Sequence, residues 1–188
     1  MATEPGADAI AVLVQNALAA SARSDSEAAL ALLRRAVERD DSAAVPHYLL
    51  GAEYARIGIV DKAIDETQRA LERDARFADA RFQLGLLHFT SGRLAQAESA
   101  WAPLASPPAP RCLRLFAQGL LAMAQDRGAE AKSLIASGIA ANHTNEALNA
   151  DMRGVIEAMD AAVEGPAGDA GTGHVLLSAY RSSPGGSA

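Results

Sequence analysis

Histidine, cysteine and paired carboxylates are the side chains that bind metals, move protons or attack carbonyl carbons. This chain of 188 residues holds four histidines and one cysteine. His47, His88, His143 and His174 stand far apart, at none of the short intervals that close a metal site. Cys112 has no second thiol to meet, so the chain forms no internal disulfide and fits a reducing compartment. GPAGDAGTGH, from Gly165 to His174, imitates a phosphate-binding loop. No apolar strand precedes it, however, and His174 stands where a lysine would be needed, so the stretch reads as a linker. No catalytic residue, cofactor-binding residue or metal ligand is assigned, and the chain reads as a non-enzyme without a cofactor.

Composition narrows the partners. The formal net charge is −6, which argues against a nucleic-acid backbone or an anionic membrane, since both require a basic face. Apolar residues make up 49% and charged residues 21%, enough to bury a core and stay dissolved. Ala9 to Ala20 is apolar and ends in small residues, like a secretory signal. Glu4 and Asp8 precede it instead of basic residues, and Gln15 and Asn16 interrupt it, so it is read as part of the fold. No run reaches the roughly 18 apolar residues of a spanning helix. These features predict a cytoplasmic protein, and the richness in alanine a bacterial one.

What must position any functional surface is a repeat. Leu50-Gly51 recurs 34 residues later as Leu84-Gly85, Gly58 as Gly92, and Ala63 as Ala97. Another 34 residues on stand Gly119 and Ala131; 34 back from Gly51, Ala63 and Ala70 stand Ala17, Ala29 and Ala36. RAVERD (Arg35–Asp40) matches RALERD (Arg69–Asp74). The period defines four units, 10–43, 44–77, 78–111 and 112–145, with the outer two degenerate. Each reads as two helices joined at Gly58 or its equivalent, where the turn uses a positive φ. In the first unit Ser24 takes that place, and Ser24 with Glu27 is expected to form a capping box. Gly51, Gly85 and Gly119 fall inside helices, where glycine costs about 1 kcal/mol relative to alanine. Close approach of the partner helix is the compensating reason, with Ala63 and Ala97 facing it.

These residues resemble the tetratricopeptide repeat (TPR), whose motif has W-x2-L-G-x2-Y, then A-x3-F, then P. Here the matches are His47-x2-Leu50-Gly51-x2-Tyr54 with Ala63-x3-Thr67, and Arg81-x2-Leu84-Gly85-x2-His88 with Ala97-x3-Trp101. His47 and His88 occupy aromatic sites of the motif, which implies packing. The resemblance covers about residues 10–145 and implies an all-α fold, an α-solenoid superhelix of antiparallel helix pairs. APLASPPAPR, from Ala102 to Arg111, departs from the pattern: its prolines end the second helix of the third unit early and are expected to splay the fourth unit. Residues 146–164 read as a capping helix, with Thr144 able to cap it and Leu148, Met152, Val155, Ile156, Met159 and Val163 as its stripe. Residues 1–9 and the Gly/Ser/Pro-rich 165–188 read as flexible.

In TPR arrays the first helix of each unit lines a concave groove. The period sets Val14, Tyr48, Phe82 and Phe116 in one row. Leu18, Ala52, Leu86 and Leu120 make a second, and Ser21, Ala55, Phe89 and Met123 a third. Offsets of four and seven residues stack on a helix, so the rows form an apolar stripe. The candidate peptide-binding groove is therefore Tyr48, Ala52, Phe82, Leu86, Phe89, Phe116, Leu120 and Met123; the alternative is that part of this area packs between neighbouring helices. A TPR subclass grips the C-terminal carboxylate of chaperones with lysine and asparagine. The matching sites hold no cation here (Val14, Leu18, Leu49, Asp79, Gln83 in one register), so that role is not expected.

The resemblance implies an interaction scaffold binding an apolar or amphipathic peptide segment. Two other readings stay open: a secretion chaperone similar to the TPR chaperones of type III secretion, and a non-catalytic subunit of an assembly or enzyme complex. HVLLSAY, from His174 to Tyr180, is an apolar cluster in a polar stretch. It is expected to dock on the array, shielding the groove in cis or, on a neighbouring chain, making a homodimer through tail or groove; the alternative is a disordered tail or a motif for another protein.

Overall fold

The computed structural model describes the backbone of residues 5–164. HVLLSAY and the rest of the segment read as a tail lie outside the described residues, as do the first four. Among the described residues the chain is all-α, with nine α-helices and one short 3-10 turn. These are α1 (Pro5–Ala22), α2 (Ser26–Arg39), α3 (Ala44–Arg56), α4 (Val60–Arg73), α5 (Ala78–Thr90), α6 (Leu94–Trp101), α7 (Arg111–Ala124), α8 (Gly128–Ala141) and α9 (Glu146–Glu164), with the 3-10 turn Ala102–Ala105 after α6. The first helix begins at Pro5 rather than near residue 10. A proline suits a first helical position, where its missing N–H has no intrahelical partner to lose.

The 34-residue period is written into the backbone. Ser24, Gly58, Gly92 and Asp126 have φ of 59°, 78°, 74° and 57°. At each, two hydrogen bonds close the preceding helix. At the second, Ile59 N donates to Tyr54 O at 2.9 Å and Gly58 N to Ala55 O at 3.0 Å. The long-range member recurs as Asp25 to Ala20, Arg93 to His88 and Arg127 to Ala122, at 2.9–3.0 Å. These bonds satisfy helix-end carbonyls and reverse the chain within a few residues. Glycine adopts this conformation without strain, whereas Ser24 and Asp126 bear a side-chain penalty. The expected capping box at Ser24 is corrected here. Ser24 is the left-handed turn residue, and the cap of α2 is Asp25, whose Oδ1 accepts from Ala28 N at 3.1 Å.

Two compact units divide between Leu87 and His88. In the first, α3 and α4 pack as an antiparallel pair. A Cβ on Gly51 would stand 2.6 Å from Thr67 Oγ1 and 3.0 Å from Ala63 O, so the helices meet where α3 has no side chain. Thr67 Oγ1 donates to Ala63 O at 2.7 Å, which satisfies a hydroxyl that is otherwise buried. Small residues Ala17, Ala29, Ala36, Ala63 and Ala70 are buried along the pairs, with Leu13, Leu33, Leu50 and Ile64 filling between them.

In the second unit α7 and α8 repeat the arrangement. A Cβ on Gly119 would stand 2.6 Å from Ile135 Cγ1 and 3.2 Å from Ala131 O. Pro103 limits α6 to 8 residues where α4 has 14. The chain then passes through the 3-10 turn, and α7 packs on both α6 and that turn. The cap of α9 is Asn145 rather than Thr144, its Oδ1 accepting from Leu148 N at 3.0 Å. Behind it, buried Asn142 and Asn149 pair: Asn142 Nδ2 donates to Asn149 Oδ1 at 2.9 Å, and Asn149 Nδ2 to Asn142 O at 3.0 Å. Met152, Val155 and Met159 bury the inner stripe of α9, while Arg153, Glu157 and Asp160 stay exposed.

Candidate protein-interaction face

The eight residues of the candidate groove are not alike in the structure. Phe82, Phe89, Phe116, Leu120 and Met123 are all buried. Phe116 has no exposed surface, and its ring lies where a Cβ on Gly138 of α8 would meet it at 2.6 Å. It therefore fills the space between the two helices of its pair. Phe89 packs against Trp101, with ring centroids 5.8 Å apart. Surface is left at Tyr48, Ala52 and Leu86, each half-buried.

Those three lie in the first unit, on α3 and α5, and Ala52 and Leu86 share a row with Leu18 of α1. Leu18 is 50% exposed, and Val12 one helical turn and a half before it is 54% exposed. The Tyr48 ring rests at 4.8 Å from that of Phe77. Burial, and after it the Asp79 carboxylate, pushes the Tyr48 hydroxyl above its ordinary pKa, so it remains a neutral donor. The packing glycines and alanines, Gly51 with Ala63 and Gly119 with Ala131, lie between paired helices, away from this surface.

Polar groups hold the supporting helices in place. Glu53 is buried, and Ser21 Oγ of α1 donates to its Oε2 at 2.9 Å. Arg56 Nη2 reaches Glu53 Oε1 at 2.5 Å and also bonds Ser26 Oγ of α2. Burial pushes the Glu53 carboxyl up, but the hydrogen bonds from Arg56 and Ser21 outweigh it and hold it below the usual range. Thus one carboxylate ties α1, α2 and α3. Tyr54 Oη accepts from Arg34 Nη2 at 2.9 Å, and Lys62 Nζ lies 5.5 Å from its ring centroid. Fully buried His47 places Nδ1 2.7 Å from Glu66 Oε2 and Nε2 3.3 Å from Asp41 O. Arg73 Nη2 in turn holds Asp41 Oδ2 at 2.5 Å. His88 is buried with no hydrogen-bond partner for its Nδ1; burial first, and Arg93 second, depress its pKa.

The two histidines at aromatic sites of the motif are therefore packed in helices. Sequence reasoning missed the Glu53 tie, because its three partners are 3, 27 and 32 positions away and no local pattern joins them. Among the described residues no group of three or more His, Cys, Asp and Glu is placed to hold a metal ion, and no helix is long and apolar enough to cross a membrane.

No protein-family model and no curated protein sequence matches the chain. Solved structures do. That of MamA aligns with a TM-score of 0.59 and 23% identity over 70% of this chain and 77% of that one. PilF of Pseudomonas aeruginosa aligns with a TM-score of 0.67 and 19% identity, over 95% of this chain and 78% of that one. YrrB, described as a TPR protein with an unusual peptide-binding site, aligns with a TM-score of 0.55 and 21% identity over 96% and 93%. At these identities the likeness is one of fold. Consecutive helix pairs, a 34-residue turn period and these neighbours together give the chain the fold of a tetratricopeptide-repeat protein.

Proposed function

We propose that the protein is an interaction scaffold that takes an apolar or amphipathic peptide segment on the first helices of its pairs. The carrying observation is the exposure of Leu18 in the row that also holds Ala52 and Leu86. An exposed apolar row of this kind favours a partner over water. Half-buried Tyr48 adds a rigid ring with a polar tip, the side chain that most often anchors such contacts. The peptide-binding site ascribed to YrrB supports the same use of the fold. The buried side chains serve internal packing instead, Phe82 in the first unit and Phe89, Phe116, Leu120 and Met123 in the second.

The test is selection of peptides from a displayed random library on the full chain, followed by titration of the winners. Selected sequences should share apolar anchors at helical or alternating spacing. Leu18→Asp should weaken them at least about tenfold, as loss of an anchor contact does, with an unchanged melting temperature. Selection of no apolar pattern, or equal affinity for Leu18→Asp, would sink the reading.

A further inference from the structure

The shortened helix of the second unit leaves a hollow. Since α6 stops after 8 residues, a cavity of about 240 Å³ opens between its end, the 3-10 turn and α7. Trp101, Leu104, Ala117 and Leu121 give it apolar walls, and Glu98, Arg114 and Gln118 also line it. It is smaller than the ~300–1,000 Å³ of ordinary small-molecule sites, and suits one or two large apolar side chains better than a cofactor.

The chain carries such a group. Of the 24 residues after Glu164, the one apolar run is Val175-Leu176-Leu177, with Tyr180 close behind and Arg181 next. Where α9 ends decides what that run can reach. Asp160 pairs with Lys132 of α8, and Met159 Cε lies 3.9 Å from the position of a Cβ on Gly128. The last turns of α9 therefore lie beside the start of α8. The turn Gln125–Arg127 joins that start to the end of α7, one turn from Leu121 of the cavity. Ten residues, 165–174, separate Glu164 from Val175. They span at most about 35 Å, several times the ~10 Å width of one helix.

We infer that Leu176 and Leu177 occupy this cavity in the same chain. The apolar pair fills the walls that Pro103 left uncovered. A tether of this length supplies a millimolar effective concentration, so a weak site suffices. This docking is separate from the surface of α1, α3 and α5 and stands or falls without it.

Amide hydrogen exchange on the full chain tests it, comparing the parent with a Leu176→Asp, Leu177→Asp double variant. Both changes lie outside the described helices. Amides of residues 101, 102, 104, 105 and 114–121 should exchange about tenfold faster in the variant, as expected when millimolar effective ligand leaves a site of about 0.1 mM affinity. Those of α3 and α4 should not change, and sedimentation should give the monomer mass for both proteins. Three results overturn the inference. Unchanged exchange at the cavity means nothing from this segment fills it. Faster exchange with loss of a dimer makes the occupant a second copy's segment. Faster exchange throughout, α3 and α4 included, makes the segment part of the general fold.

Discussion

A Cβ built on Gly51 would stand 2.6 Å from Thr67 Oγ1, and one built on Gly119 would stand at the same distance from Ile135 Cγ1. The paired positions are offset by the same interval in both pairs, so one steric rule, an absent side chain under a larger one, closes both. At Gly51 the obstacle also includes the Ala63 carbonyl at 3.0 Å, and backbone does not rotate away. Gly51→Leu and Gly119→Leu should each cost about 1–3 kcal/mol through overpacking. For a chain of this size that lowers the melting temperature by a few degrees per kcal/mol. Gly51→Ala should be milder in a Thr67→Ala background than alone, since the nearest atom is then gone. Additive costs in the double-mutant cycle would refute the contact.

Phe116→Ala should act on stability. A fully buried ring against Gly138 leaves a cavity when truncated, at a cost of about 3–5 kcal/mol. Thermal or urea unfolding should show this loss. Peptide affinity, measured where the variant is still folded, should be close to that of the parent.

Glu53 should make the fold acid-sensitive. Its carboxyl is held below the usual range in the folded state, so unfolding takes up a proton. The stability it contributes is complete above the unfolded pKa of about 4.3 and is lost as pH falls through the folded value. Glu53→Gln keeps the shape but removes the charge facing Arg56, and should cost about 1–3 kcal/mol at pH 7. The difference between parent and variant should shrink in urea titrations below pH 4.

His88 acts over a different pH range. Burial depresses its pKa, so the folded state holds the ring neutral while the unfolded state protonates near 6.5. Its neutral form is fully tolerated above that value, and stability falls as pH drops below it toward the folded pKa. Replacement by phenylalanine, the kind of residue the motif has there, removes a buried nitrogen without a partner. His88→Phe should gain about 1 kcal/mol at pH 7 and flatten the stability profile between pH 7 and 5. A steeper acid loss in the variant would contradict the assignment.

The sequence by itself determined the repeat and the helices. Leu50-Gly51, Ala63 and their equivalents fix which segments pair, and Ser24, Gly58, Gly92 and Asp126 turn in phase, because turn geometry depends on a few adjacent residues. What only the tertiary structure decided was which flank of each first helix is covered. Phe116 and Tyr48 hold the same place in the period, yet Phe116 is fully buried, against Gly138 in α8, while Tyr48 keeps part of its surface. Offsets of three, four and seven residues describe a broad apolar arc that serves internal packing and an outer face equally. The choice between them depends on where a neighbouring helix sits, and on what it lacks at the point of approach. The same holds for the caps and the cavity. Asp25 and Asn145 cap where Ser24 and Thr144 had the right chemistry, because backbone conformation selects the residue that faces the free N–H. Pro103 announced an early helix end, but the hollow it leaves is enclosed by α7, and the period does not record that distance.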